Sequence, residues 1–87
     1  MSTFPATHRD ALALTISKLR VHRDHLHRRK AQVITRLVTL RAAGATTIGS
    51  EAYASSVIAR IEADERAAAQ LHGYLTRKYN RLNTRTL

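Results

Sequence analysis

The chain has 87 residues, with 15 Lys and Arg against 6 Asp and Glu and a formal net charge of +9. That length allows one domain at most, and an apolar fraction of 44% beside 24% charged residues is that of a folding chain rather than a disordered one. The absence of Cys excludes a disulfide framework and a thiolate metal site, no window approaches the ~18 apolar residues a membrane helix needs, and the charge favours an anionic partner.

In chain order, the N-terminal MSTFPATHRDALALT has no apolar run behind a basic start. It does not read as a secretory signal, so a cytoplasmic location is expected. Residues 1–7 read as a lead-in. Thr3 or Thr7 is placed to cap a helix, Thr7 having Asp10 three residues on. Pro5 suits a helix start. No Gly or Pro interrupts the chain from His8 to Ala43, which predicts a helix over about residues 8–43, ~54 Å long. The segment AGATTIGSE follows as a turn at about 44–49. Gly44 stands where a left-handed C-cap is wanted, and Ser50 with Glu51 reads as an N-cap with a first-turn acid. Thr46 or Thr47 would instead start the helix a turn earlier. The second helix is expected over about 50–83, ending in the fraying tail NTRTL.

The two segments carry mirrored apolar stripes. Leu12, Ile16, Leu19, Leu26, Val33, Leu37 and Leu40 form the first, and Ala54, Val57, Ile61, Ala68, Leu71, Leu75 and Leu82 the second. Both advance in steps of three and four, which puts each stripe on one helix face. Written antiparallel, the residue numbers of facing positions add to 94, as for Leu12 with Leu82 and Leu26 with Ala68. The expected fold is all-α, a long antiparallel two-helix hairpin of coiled-coil type. Arg23, Lys30, Asp64 and Lys78 interrupt the seam. The register sets Lys30 against Asp64, with His27 near Glu65, Arg41 near Glu51 and Ile34 near Ile58.

One stripe is a small core for a chain of this size. Self-association is the expected support, as a homodimer forming a four-helix bundle. Tyr53, Ile58, Tyr74 and Tyr79 flank the second-helix seam as candidates for that surface, and Leu14, Val21 and Val38 offer another on the first helix.

The charge is polarised. Residues 31–65 hold three Arg against four acids, whereas residues 1–30 and 66–87 hold twelve Lys and Arg against two Asp. The surplus sits at the open end, where the termini meet. The candidates for binding nucleic acid or another anionic partner are Arg20, Arg23, Arg28, Arg29, Lys30, Arg77, Lys78, Arg81 and Arg85. A solvated face is the competing reading. Arg23 and Lys30 within the seam admit three roles: extending out of it, facing acids that fix the register, or lining a pocket for a small dianion. His22 and His25 share a helix face at metal-ligand spacing, but no nearby acid completes a set, so no metal site is assigned. Tyr74 and Tyr79 interleave with Arg77, Lys78 and Arg81 and are placed to stack on bases or to pack.

No phosphate loop or nucleophile elbow is present, and no cofactor or catalytic residue is assigned. The expectation is a small basic hairpin that contacts nucleic-acid backbone through its open end. The alternative is a protein-interaction module gripping an acidic protein surface, such as a regulatory, inhibitory or assembly factor of phage or mobile-element type. A membrane-surface role is disfavoured, because the apolar stripes face each other.

Overall fold

The computed structural model describes residues 4–85, with side chains described for 8–84. Thr3 as a cap lies outside the described residues, as do the side chains of Thr7 and Arg85. Two helices account for the fold: α1, Phe4–Ala42, and α2, Ile48–Arg85. They pack antiparallel into a hairpin measuring 63 × 19 × 17 Å. Its radius of gyration is 19.4 Å, against about 12 Å for a compact domain of this length. No strand occurs among the described residues.

Both sides of the turn are specified locally. Gly44 adopts φ 66°, a left-handed conformation open to Gly without a Cβ penalty. Its N–H donates to Arg41 C=O at 3.0 Å, and the Ala45 N–H donates to Leu40 C=O at 2.9 Å. Those two bonds are the Schellman pair that satisfies the last carbonyls of α1. The helix after the turn starts at Ile48 rather than near Ser50, because Thr47 provides the cap. The Ser50 N–H donates to Thr47 Oγ1 at 3.1 Å, while the Thr47 N–H donates to Ser50 Oγ at 2.8 Å. This reciprocal box satisfies two orphan donors at once. At the other end, α1 already runs through Thr7 from Phe4, so Thr7 lies inside the helix instead of capping it.

The seam of α1 follows the expected stripe. Leu12, Leu26 and Leu37 are buried, and Ile16, Leu19, Val33 and Leu40 are half-buried. On α2, Ile61 and Ala68 are buried, and Ala54, Val57, Leu75 and Leu82 half-buried. Leu71 departs from expectation: it is 48% exposed. Beyond Ala68 the half-buried positions are His72, Leu75, Thr76, Tyr79, Leu82 and Asn83, together with Gly73 and Lys78. The stripe has rotated by about one position. An α-helix near 3.6 residues per turn drifts ~20° per heptad from a seven-residue repeat. Over the length of α2 that drift carries Leu71 out of the seam and brings His72 and Tyr79 toward it.

Rotation also corrects the polar contact in the seam. Lys30 does not face Asp64. Its Nζ donates to Glu65 Oε1 at 2.8 Å and lies 3.9 Å from Glu62 Oε2, while Asp64 is exposed on the opposite flank. Two of the other flanking pairs, His27 with Glu65 and Arg41 with Glu51, occur as expected. His27 Nδ1 is 3.8 Å from Glu65 Oε2. Arg41 grips Glu51 with two nitrogens, its Nε donating to Oε2 at 2.8 Å.

Candidate nucleic-acid interface

The ion pairs divide the basic residues into two sets. Among the described residues they involve His27, Lys30 and Arg41 only. The hydrogen bond from Lys30 holds the Glu65 carboxyl below its ordinary range, and the same bond raises Lys30. Arg41 likewise lowers Glu51 and is itself raised. Lys30 is therefore a clamp between the helices, with its charge already compensated.

Arg20, Arg23, Arg28, Arg29, Arg77 and Arg81 are exposed and form no such pair, and Lys78 is half-buried and also unpaired. The structure brings six of these seven together in three places, leaving Arg77 apart. Lys78 and Arg81 line a groove with Tyr74 and Leu82. Arg20 and Arg23 line a recess with Asp24, His27 and Glu65. Arg28 and Arg29 flank a shallow hollow with His25 and Gln32. Levels along the rod follow from the helix rise. Arg28 and Arg29 lie opposite Glu65 and Arg66, about 20 Å from the level of Lys78. These cations do not form one patch. They wrap the open half of the rod on several faces.

Arg23 reaches out of the seam into solvent, as a long cationic side chain does. The recess beside it also holds two carboxylates, Asp24 and Glu65. Its lining is close to neutral, unlike a dianion pocket. His22 and His25 have no third partner: among the described residues no three His, Asp or Glu side chains gather to hold a metal ion.

The four candidates for self-association separate by face. Tyr53 is 73% exposed and Tyr74 50% exposed, and both belong to one α2 stripe with Val57, Arg60, Asp64, Ala67 and Leu71. Ile58 is half-buried on the other flank, which also carries Glu51, Glu62 and Glu65. Tyr79 is half-buried at the seam. Of the stripe with Tyr53 and Tyr74, Val57 and Leu71 are the apolar members expected in the seam; Val57 is half-buried there, whereas Leu71 is exposed. The shift from a 3.5 to a 3.6 repeat is the signal that assigns it correctly.

No helix among the described residues is long and apolar enough to cross a membrane. The chain matches no family model, no curated protein and no solved structure.

Proposed function

We propose that the hairpin binds nucleic-acid backbone through its open end and acts as a homodimer. One observation carries the reading. Of the twelve Lys and Arg of the open half only Lys30 forms an ion pair among the described residues, whereas the turn half holds just three Arg, Arg41 of them paired, against four acids. Free cations release condensed counterions on meeting phosphates, and that release drives binding that is largely independent of sequence. The basic stretch from Arg29 to Arg9 spans about 30 Å of rod. That is comparable to one duplex turn of about 34 Å. Tyr74, beside Lys78 and Arg81, adds a face for an unpaired base.

The test is anisotropy of a labelled duplex and a labelled single strand, titrated across a salt series. Affinity is expected to fall steeply with salt. Lys78→Ala with Arg81→Ala is expected to lower the duplex log–log slope by about 1.8, at ~0.9 per lost phosphate contact. No binding at low salt, or binding indifferent to salt, overturns the reading.

A second reading has its own observation. Leu71 and Tyr74 are exposed beside basic residues, an apolar and cationic combination suited to an acidic protein surface. Retention of one defined protein from nuclease-treated lysate, together with no affinity for nucleic acid, favours it.

A further inference from the structure

The outer stripe of α2, exposed except at half-buried Val57, has a property beyond being apolar: it is complementary to itself when reversed. From the turn outward it reads Tyr53, Val57, Arg60, Asp64, Ala67, Leu71. Laid antiparallel on a second copy and pivoting at the level of Glu62, Tyr53 meets Leu71, Val57 meets Ala67, and Arg60 meets Asp64. Between Tyr53 and Leu71 each apolar residue faces an apolar one and the two charges face their opposites, while Tyr74 at the edge falls against Ser50. Each contact occurs twice, as a two-fold interface requires. Sliding one copy by a heptad sets Arg60 against Leu71, or Tyr53 against Asp64, so the match selects one register.

We propose that this face is the homodimer interface, with α2 packed antiparallel on α2 of a second copy. The proposal deepens the dimer in the reading above by naming its surface, orientation and register. Area supports a second copy as the occupant. The chain exposes 6839 Å², whereas a compact monomer of 9.8 kDa exposes about 5,200 Å². The excess, about 1,600 Å², is roughly twice the ~800 Å² each partner gives to a stable interface. Charge supports the orientation. Parallel packing would bring two strongly basic open ends side by side. Antiparallel packing sets each basic end beside the near-neutral turn end of the other copy. Arg29 and Arg36 border a groove with Tyr53 and Val57 on the α1 side of this face, where Asp64 of the second copy would answer them. The register leaves the binding end free, since α2 beyond Thr76 overhangs the second copy's turn by about 13 Å.

Four measurements decide it. Light scattering is expected to give twice the 9.8 kDa chain mass. Tyr53→Glu with Leu71→Glu should weaken the dimer at least ~100-fold without loss of helicity, because both side chains are already exposed in the single hairpin. Asp64→Arg alone should weaken the dimer, and adding Arg60→Glu should restore it. Spin labels at Ala52→Cys, on the outer face, are expected about 30 Å apart along the axis, where parallel packing would leave them at one level. A monomer at all concentrations, a dimer indifferent to Tyr53→Glu with Leu71→Glu, or labels at one level overturns the proposal. Lys78→Ala with Arg81→Ala leaves the dimer intact, so failure of the interface and failure of nucleic-acid binding are read separately.

Discussion

Gly44 and Gly73 invite the same substitution, and the structure predicts opposite outcomes. Gly44 holds φ 66°, and a Cβ built there meets nothing within 4 Å. The cost of Gly44→Ala is therefore backbone strain alone, about 1–2 kcal/mol for a left-handed L-residue. Loss of unfolded-chain entropy offsets about 0.4–1 kcal/mol of it. A net destabilisation of about 0.5–1 kcal/mol is expected. Gly73 lies inside α2 without a positive φ, and its added Cβ would sit 3.3 Å from Arg77 Nη1. That neighbour is the tip of a flexible, exposed side chain and can move aside. Gly73→Ala should stabilise by about 0.8–1 kcal/mol, the helix propensity difference. For 87 residues, 1 kcal/mol corresponds to about 5 °C in Tm. Thermal and urea unfolding by circular dichroism, at one fixed protein concentration, reads both variants. A Gly44→Ala variant that gains stability, or a Gly73→Ala variant that loses it, refutes the reasoning.

Ile61 is 5% exposed, and Ile61→Ala should cost about 2–5 kcal/mol, toward the lower figure because a two-helix seam can close on a small void; Val21→Ala, on the outer face, should stay within about 0.5 kcal/mol, and urea midpoints separate the two. Thr47→Ala removes the side-chain half of the capping box and should cost about 0.5–2 kcal/mol, whereas Thr46→Ala should cost less in the same unfolding assay. Acid acts through the clamps. Glu51 and Glu65 are lowered from the ordinary value near 4.5, so their contribution is complete above that pH and is lost as pH falls through the lower folded values. Lys30 and Arg41 are raised by these same pairs and stay charged throughout the acid range, so the loss follows protonation of the carboxylates. Tm should therefore decline below about pH 4.5, and less steeply in Glu51→Gln with Glu65→Gln; identical acid profiles would remove these pairs from the account.

The hairpin was legible because an alternation of three and four encodes a helix face, and two mirrored stripes encode an antiparallel pair. Arg41–Glu51 and His27–Glu65 followed from that register. The partner of Lys30 did not. Asp64 and Glu65 differ by one residue and therefore by ~100° of rotation about the axis. Periodicity fixes the level of a residue better than its azimuth, and a drift of ~20° per heptad accumulates toward the chain end. The same drift hid Leu71. The basic set was legible as composition, but its division into clamped and free cations depended on which acids came within reach.

The capped turn also has a kinetic consequence. It joins the helices through few residues, so closing it costs little chain entropy, and the first contacts across the seam are local ones. The hairpin should zip from the turn toward the termini and fray in the reverse order. The last part to close holds the least apolar seam, where His72 Nε2 and Thr76 Oγ1 are buried without a hydrogen-bond partner among the described residues. It also holds like charges that repel. The basic end is thus the least stable segment of the rod, and a polyanion bound there would slow its opening. Amide hydrogen exchange would then show the gain of protection at the end of α2, far from Gly44.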